Sequence, residues 1–450
     1  MDVFDQFPSS PFSDPVYLTI GNFDGVHRGH QMLICELSAA AHAHGARAGL
    51  LTFEPHPVAV LRPDVKVPRL TTNEERADLL AALGLDFVVV LPFTRETAAT
   101  SAADFLADLV AHLPLAELWV GPDFALGRGR EGNTARLAEL GRQMGFALRV
   151  IPPYDWHGEP VRSSRVRALL TEDGAVEQAA ELLGRPYRLW GEVVAGAKRG
   201  RQLGFPTANL QVPEERLVPA FGVYACWAWR GDRGYPAVIN IGVRPSFDNG
   251  HPSVEAFLLD FSGDLYGETL GLSFVARLRG EKKFANISDL VAQIGADAQR
   301  AREILAHPGT DAGGAGYSGW RELVHTADWA IEVNGADPAQ LFANAADAMY
   351  TLQDADKARP ATLARRISVE AESFDDLFVA WLNRLLLSQE LDGEMYTRFE
   401  IHEISGRGVR GVAYGYNGAP AHTAVKAVTY YDLDVRQTPE GWRAQVTFDV

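Results

Sequence analysis

The segment GNFDGVHRGH (21–30) combines a glycine turn with two histidines, between a strand-like run and a predicted helix. Glycine lets backbone approach a ligand closely, and the amide groups at a helix N-terminus attract phosphate. His27 and His30 are three residues apart and share one face of a helical turn. Imidazoles placed there can bind nucleotide phosphates and stabilise the charge that develops during nucleotidyl transfer. The segment predicts a phosphate site; a glycine turn with two surface histidines, or a metal site that includes Asp24, are the alternatives.

A second candidate site lies in GAKRGRQLGFPTANL (196–210). Thr207 and Asn209 are two residues apart, so an extended backbone points both to one side, and their hydroxyl and amide oxygens suit Mg²⁺. Turn capping after Pro206 is the alternative for this pair. The chain has no G-x-x-x-x-G-K-[ST] sequence, which disfavours a P-loop kinase. Three cations lie among glycines, on backbone that can cover phosphates: Lys198, Arg199 and Arg201.

The third candidate site consists of two carboxylates beside strand-like sequence. Asp328 belongs to HTADWAIEV (325–333), and Asp449 belongs to WRAQVTFDV (442–450). If these two strands are neighbours, the carboxylates converge, and a hard cation such as Ca²⁺ or Mg²⁺ would relieve their repulsion. Solvated aspartates at strand ends are the alternative.

A late segment, RSSRVRALL (162–170), carries hydroxyls and arginines, which suit phosphate oxygens. A capped helix with solvated arginines is the alternative. GRGREG (127–132) fits G-x-G-x-x-G, but it does not follow the first strand and lies several residues beyond its own strand. We therefore do not interpret it as a dinucleotide-binding fingerprint.

The elements that must position the first site alternate between strand and helix. Helical stretches, for example 73–84, separate the strand-like segments. These segments are 16–23, 48–53, 86–93, 117–124 and 146–153. This alternation predicts a parallel sheet covered by helices on both faces.

The pattern changes near residue 186. Several short strand-like segments separated by Gly, Pro and Asp predict a small closed β-barrel, which a helix over 287–305 completes. HPGTDAGGAGYSG (307–319) has the composition of a flexible linker. The remaining residues mix strands with two helices whose predicted N-caps are Asp337 and Ser373. The predicted division is 1–185, 186–306, 307–319 and 320–450.

Composition excludes several classes of protein. The 450 residues carry a formal net charge of −16, which argues against a general nucleic-acid coat. The only cysteines, Cys35 and Cys226, fit no metal or redox spacing and indicate a reducing compartment. The first residues lack the apolar run of a signal peptide, and no segment is long enough to span a membrane. We expect a soluble cytoplasmic protein without direct nucleic-acid or membrane binding.

Residues 16–185 resemble the FMN adenylyltransferase domain of bacterial bifunctional flavin-synthesis enzymes. The resemblance rests on the first motif together with TFEPHP (52–57), GPDFALGRGREG (121–132) and RSSRVRALL. It implies a Rossmann-like nucleotidyltransferase in which His27 and His30 act in the transfer and Asp123 lies on the FMN side. The residues that the same resemblance assigns to ATP are Gly21, Phe23, Asp24, Gly25, Ser163, Ser164, Arg165 and Arg167.

Residues 187–305 resemble riboflavin kinases, through the second motif and through four shorter segments: FGVYA (221–225), NIGVRPSF (240–247), VEAFLLDFSGDLYG (254–267) and EKKF (281–284). The resemblance implies that Thr207 and Asn209 hold Mg²⁺ with ATP, and that Glu255 is the general base for the ribityl hydroxyl. A solvated strand residue is the alternative for Glu255. The ATP contacts implied in this region are Gly196, Lys198 and Arg201.

Residues 320–450 resemble archease, a small protein that assists the RNA-splicing ligase. HTADWAIEV, LFANAADAMY (341–350), DDLFVAWLNRLLL (375–387) and VKAVTYYDLDV (425–435) carry this resemblance. It implies metal ligands at Asp328 and Asp449, with His325 as a further candidate. Tyr431 stands where the family pattern has histidine, and Lys426 is either a contact for an anionic partner or a solvated strand residue.

Together the resemblances imply a multidomain enzyme: an α/β nucleotidyltransferase, a small β-barrel kinase and an α+β archease-like domain. Riboflavin would be phosphorylated to FMN and FMN adenylated to FAD, each step using ATP with Mg²⁺, while the last domain binds Ca²⁺ or Mg²⁺ and assists an RNA-splicing ligase. One alternative is a nucleotidyltransferase for another phosphorylated alcohol. The other is an RNA-ligase activation factor with degenerate flavin enzyme domains.

Overall fold

The computed structural model describes residues 1–8, 12–195, 204–243, 252–306, 319–323, 329–420, 424–438 and 441–450. The chain divides into two units, one containing 1–168, 182–184 and 214–217, the other containing 169–181, 185–213 and 218–450. Among the described residues, no helix combines the length and the apolar character needed to cross a membrane.

The first unit is built on a six-stranded parallel sheet in the order β1-β4-β3-β2-β5-β8, as the alternating pattern predicts. Its strands are β1 (Asp2–Phe4), β2 (Val16–Ile20), β3 (Arg47–Glu54), β4 (Phe87–Pro92), β5 (Leu115–Val120), β6 (Ala125–Leu126), β7 (Gly132–Asn133), β8 (Ala147–Val150), β9 (Asp155–Trp156) and β10 (Glu159–Pro160). Its helices are α1 (Arg28–Ala43), α2 (Pro57–Leu61), α3 (Asn73–Ala81), α4 (Arg95–Ala99), α5 (Ala102–His112), α6 (Thr134–Met144) and α7 (Ser163–Ala168).

Strand β2 lies in the middle of this sheet and is buried at all five positions. Leu18 packs in a core with α5 and α6 on one face, and Tyr17 packs in a core with α1 and α3 on the other. Burial on both faces explains why the strand is continuously apolar. Its neighbours are β3 and β5. Strands β3 and β4 follow β2 toward one edge of the sheet, and β5 and β8 are then added on the other side of β2. The carboxyl end of β2 is therefore a topological switch point, where open α/β sheets bind ligands.

The second unit contains most of helix α8 (Val176–Leu183), whose residues 176–181 belong to it, and a six-stranded antiparallel barrel. The barrel strands are β11 (Tyr187–Val194), β12 (Ala208–Gln211), β13 (Gly222–Arg230), β14 (Arg233–Val243), β15 (Pro252–Leu258) and β16 (Thr269–Arg279). Their order is β13-β16-β11-β12-β15-β14, and the β13–β14 pairing closes the barrel, as predicted. Helix α9 (Ile287–Ala306) packs against β13, β14 and β16.

The rest of the second unit is an α+β region with two sheets. Its elements are β17 (Trp320–Leu323), β18 (Trp329–Gly335), α10 (Pro338–Leu352), β19 (Leu363–Glu370), α11 (Phe374–Asp392), β20 (Glu394–Ile404), β21 (Gly408–Asn417), β22 (Ala427–Thr438) and β23 (Gly441–Asp449). Asp337 and Ser373 cap α10 and α11 as predicted, each accepting an amide hydrogen bond. One sheet has the order β17-β18-β23-β22, and strands β19, β21 and β20 continue the sheet of the barrel through β14.

Candidate active sites

A cavity of about 260 Å³ lies at the carboxyl end of β2, beside the start of α1. Its lining residues are Asn22, Phe23, Asp24, His30, His56, Ser163 and Arg167. Three segments distant in sequence, the glycine–histidine motif, TFEPHP and RSSRVRALL, thus contribute to one cavity.

The two histidines of the first motif stack on each other, with ring centroids 3.6 Å apart and an interplanar angle of 17°. The His27 Nδ1 caps α1 by accepting the amide hydrogen of His30 at 3.3 Å. Burial, and in second place the nearby His27, lowers the pKa of His30 well below its usual value. The His30 imidazole is therefore neutral near pH 7, and its buried Nδ1 has no hydrogen-bond partner among the residues that the structure describes.

Asp24 is a buried structural carboxylate. It accepts hydrogen bonds from the amides of Leu70 and Thr71 and from the Thr71 hydroxyl, all at 3.0–3.1 Å. The Arg167 guanidinium completes the set at 2.5 Å. This network anchors the loop before α3 against the glycine turn. Within the described ranges, no group of three or more His, Cys, Asp and Glu side chains is placed to hold a metal ion.

The glycine turn itself depends on its second glycine. Gly25 has φ of +82°, and an added Cβ would lie 2.8 Å from the Leu70 side chain. Its amide donates to the Thr71 hydroxyl at 3.1 Å. Gly21 directly follows β2, and its amide donates a hydrogen bond to the carbonyl of Leu51 in β3 at 3.0 Å. Both glycines therefore shape the backbone around the cavity without lining it.

The late motif divides between the cavity and the surface. Ser163 donates its hydroxyl to the Asp24 carbonyl at 2.9 Å, and Arg167 reaches the same residue's carboxylate, so both line the cavity. Ser164 is exposed, and Arg165 forms an ion pair with Glu159 at 3.0 Å. Neither of these two predicted ATP contacts lies among the residues that line the cavity.

Asp123, the residue predicted on the FMN side, is exposed and pairs with Arg162 at 2.8 Å. It follows β5, at the same edge of the sheet as the end of β2. Arg130 donates to the Asp123 carbonyl at 2.9 Å, which connects the GRGREG loop to this position.

His56 and Asn22 were not singled out from the sequence, although both lie in quoted motifs. The His56 Nε2 is 3.1 Å from the Asn22 amide nitrogen, and the His56 Nδ1 accepts the amide hydrogen of Val58. Burial, and then the charge of Arg167, lowers the pKa of His56 below its usual value. The available signal was Pro57, because proline is common in the first turn of a helix and so marks His56 as a candidate N-cap.

The second site lies on the outer wall of the barrel. Glu255 is opposite Asn209 of β12 on one side and opposite Asn240 of β14 on the other. Residues paired across strands share a face, so the carboxylate lies between two amides. Asn209 is buried, Glu255 is half-buried and Asn240 is exposed, which opens the row toward solvent at one end.

Thr207 is half-buried and directly precedes β12. The oxygen donors of Thr207 and Asn209 beside a carboxylate fit the hard-ligand preference of Mg²⁺. The residues assigned to ATP in this region, Gly196, Lys198 and Arg201, lie outside the described residues, as does Arg199.

At the third site, β18 and β23 are neighbouring antiparallel strands, with Trp329 opposite Phe448. Asp449 ends β23 and is exposed, and its carbonyl accepts the amide of Lys426 at 2.8 Å. The Lys426 ammonium donates to the carbonyl of Val450 at 2.9 Å. Tyr431 is exposed. His325 and Asp328 lie outside the described residues.

Comparisons with known proteins follow the same three regions. Residues 10–165 match the FAD synthetase family, residues 183–305 match the riboflavin kinase family, and residues 320–450 match the archease protein family. A crystal structure described as a macrolide-efflux protein from Streptococcus pneumoniae aligns with a TM-score of 0.61 and 28% identity, covering 67% of this chain and 98% of that one.

Among curated proteins, the bifunctional riboflavin kinase/FMN adenylyltransferase of Escherichia coli (strain K12) is 39% identical over 291 residues, covering 64% of this chain and 92% of the relative. The protein of the same name from Listeria monocytogenes is 35% identical over 295 residues, with the same coverage of 64% and 92%. The chain therefore belongs to the family of bifunctional riboflavin kinase/FMN adenylyltransferases and carries, C-terminal to that region, a domain of the archease family.

Proposed function

We propose that this chain converts riboflavin to FMN at the barrel site and FMN to FAD at the cavity beside α1, each with ATP and Mg²⁺. The observation that carries the kinase step is the placement of Glu255 opposite Asn209. The observation that carries the adenylation step is the stacked histidine pair at the N-terminus of α1. The family relationship supports both assignments.

In the kinase step, the Glu255 carboxylate takes the proton of the ribityl hydroxyl while that oxygen attacks the γ-phosphorus of ATP. The bond between the γ-phosphorus and the bridging oxygen breaks, and ADP leaves. Thr207 and Asn209 are the proposed ligands of Mg²⁺, which neutralises phosphate charge when it is bound. Gly196, Lys198 and Arg201 are the proposed phosphate contacts.

In the adenylation step, a phosphate oxygen of FMN attacks the α-phosphorus of ATP, and pyrophosphate leaves. His27 and His30 are the proposed catalytic pair, which hydrogen-bonds the phosphates as negative charge shifts to the leaving group. The Arg167 guanidinium lines the same cavity, and we retain the proposed ATP contacts at Gly21, Phe23, Asp24, Gly25, Ser163, Ser164 and Arg165. Asp123 is the proposed contact on the FMN side.

Product analysis from riboflavin, ATP and Mg²⁺ tests both steps. We expect FMN to appear first and FAD to follow, and chelation of Mg²⁺ to stop both. If FMN does not form but a different phosphorylated alcohol accepts a nucleotide, the alternative nucleotidyltransferase is correct. If neither flavin product forms from a folded chain, the enzyme domains are degenerate and the chain is chiefly an RNA-ligase activation factor.

We further propose that the archease domain assists an RNA-splicing ligase and holds Ca²⁺ or Mg²⁺ between Asp328 and Asp449, with His325 nearby. The family match over 320–450 and the exposure of Asp449 at the end of β23 support this proposal. Ligation assays with the full chain and with Asp449→Ala test it, because only the unmodified chain should accelerate ligation. Equal acceleration by both chains would remove the metal-site assignment.

The domain boundaries at 185, 306 and 319 and a cytoplasmic location belong to the same proposal. A reducing compartment agrees with the two cysteines, neither of which forms a disulfide.

A further inference from the structure

The outer wall of the barrel carries tryptophans that alternate with glycines across neighbouring strands. Trp190 of β11 lies opposite Gly271 of β16, Gly271 lies opposite Trp229 of β13, and Trp229 lies opposite Gly234 of β14. An added Cβ would lie 2.5 Å from the Trp190 ring at Gly271 and 2.9 Å from the Trp229 ring at Gly234. The glycines therefore let both indoles lie flat on the wall.

This row continues beyond the barrel without interruption. Gly234 lies opposite Ala364 of β19, and Ala364 lies opposite Tyr414 of β21. The Tyr414 ring is 5.4 Å from the ring of Trp227, a third outward tryptophan. Trp227 is 1% exposed and Trp229 is 2% exposed, so this part of the barrel wall is covered. The apolar core there joins barrel residues, α9 and residues of the archease domain.

Two arginines of β19 tie the archease domain to this wall. The Arg366 guanidinium lies 4.1 Å from the Trp229 ring and 5.0 Å from the Trp190 ring, in cation–π geometry. Its backbone amide donates to the carbonyl of Asp232, in the turn between β13 and β14, at 3.0 Å. Arg366 therefore contacts the barrel both through its side chain and through its main chain.

The neighbouring Arg365 is buried and pairs with acids on both sides of this junction. Within the archease domain it binds Glu394, which is fully buried, with nitrogen–oxygen distances of 2.6 and 2.7 Å. It also forms an ion pair with the barrel residue Asp232, with a nitrogen–oxygen distance of 2.9 Å. Asp232 is also 3.9 Å from Arg384. A buried charge is tolerated only when its partners are supplied, so Asp232 is a built part of this contact.

We infer that this face of the barrel is a docking surface for the archease domain of the same chain, and that barrel and archease domain form one body. The docking wall consists of Trp190, Trp227, Trp229, Asp232, Gly234 and Gly271. In a barrel without the archease domain, the indoles would keep the cover of α9 but lose that of Ala364, Val412 and Tyr414, which would leave apolar aromatic surface partly exposed. The docking strands belong to the sheet of β19, β21 and β20, whereas Asp449 lies in the other sheet.

The test uses the full chain with a protease recognition sequence inserted within 307–318, cleaved after folding. We expect the two pieces of the otherwise unmodified chain to elute together in size-exclusion chromatography at micromolar concentration. Asp232→Arg places a third cation beside Arg365 and Arg384, and it should raise the dissociation constant of the cleaved pieces at least tenfold. Asp264→Arg is the matched control, because Asp264 is an exposed barrel aspartate that accepts the amide hydrogen of Tyr266 in its own loop at 3.1 Å.

A second variant, Arg366→Glu, removes the stacking cation from the archease side and should also separate the pieces. Circular dichroism of the uncut chains establishes that each variant is folded. Pieces of the unmodified chain that elute apart would overturn the inference, as would equal effects of Asp232→Arg and Asp264→Arg. Separation by both docking variants, with co-elution of the control, supports it.

Discussion

Asn209 and Glu255 lie directly opposite each other on neighbouring antiparallel strands, on the outer wall of the barrel. Such pairs bring Cβ atoms to within about 4.5–5.5 Å, so a cation held by the amide would lie close to the carboxylate. Asn240, opposite Glu255 on the other side, keeps the carboxylate among polar neighbours at a position open to solvent. This arrangement brings the proposed general base and a proposed Mg²⁺ ligand together on one surface, beside a position that is open to solvent.

The kinase step should depend on the Glu255 carboxylate alone among the barrel's acids. We expect Glu255→Gln to lower FMN formation by a factor of about 10²–10⁴, the usual contribution of a general base. FAD formation from added FMN should persist. Chromatography of both products checks this, and Asp264→Asn, on the same barrel, should leave both rates unchanged. Loss of both steps in a folded Glu255→Gln protein would contradict separate sites.

The adenylation step should show the reverse dependence. We expect His30→Ala to lower FAD formation from FMN by about 10²-fold, because hydrogen bonds aimed at developing charge are lost. FMN formation from riboflavin should continue at the original rate. His44→Ala, at the end of the same helix α1, is the control because His44 is exposed and contacts the helix backbone. A His30→Ala protein with normal FAD formation would remove the histidine pair from the mechanism.

Asp24 should matter first for stability. Replacing it with alanine leaves the Arg167 guanidinium and the Leu70 and Thr71 amides without their acceptor. Breaking a buried ion pair of this kind costs about 3–5 kcal/mol. We expect urea unfolding of the first unit to shift to lower concentration by a corresponding amount. Thr71→Val removes a neutral hydroxyl that bonds Asp24 and the Gly25 amide, and it should cost less, about 1–3 kcal/mol. Equal midpoints for Asp24→Ala and the unmodified chain would exclude the anchoring role.

Stability of the second unit should fall as the pH is lowered below about 6.5. Burial and nearby arginines lower the pKa of His402 to about 3. In the unfolded chain this histidine binds a proton near pH 6.5, whereas in the folded chain it binds one only near pH 3. The neutral histidine therefore contributes its full stabilisation above about pH 6.5, and this contribution is lost as the pH falls from about 6.5 to about 3. The arginines responsible are Arg188, Arg185, Arg366 and Arg398, while Glu400 lies 3.9 Å from the imidazole.

The pH prediction is checked by thermal unfolding at pH 7 and pH 5, in the unmodified chain and in His402→Gln. Because glutamine does not titrate, the variant should lose less stability between the two pH values. An identical pH dependence in both chains would show that other groups, such as the carboxylates, account for the whole effect.

The parallel sheet and the barrel could be predicted because buried strands are continuously apolar and turns are marked by Gly, Pro and Asp. β1 was missed, since a three-residue edge strand in an acidic N-terminus has no periodic signal. Site membership was less predictable than fold. Arg165 and Arg167 look equivalent in sequence, yet Glu159 holds one at the surface and Asp24 draws the other into the cavity. Such pairings are long-range, and local pattern does not encode them.

The row of glycines and tryptophans across the docking wall could not be predicted from the sequence either, because it depends on the register between strands far apart in sequence. Trp190 and Trp229 meet only through Gly271, a residue of a third strand. Each family resemblance covers one region of the chain, so none of them predicts the contact between the barrel and the archease domain.

Since β14 is hydrogen-bonded to β19, the barrel and the archease domain share one continuous backbone ladder. A shortened chain that stopped after residue 306 would expose the part of the docking wall that the archease domain covers in the full chain. We expect such a chain to self-associate through this apolar surface. Because the two domains also share an apolar core, we expect them to unfold together on heating as one cooperative unit.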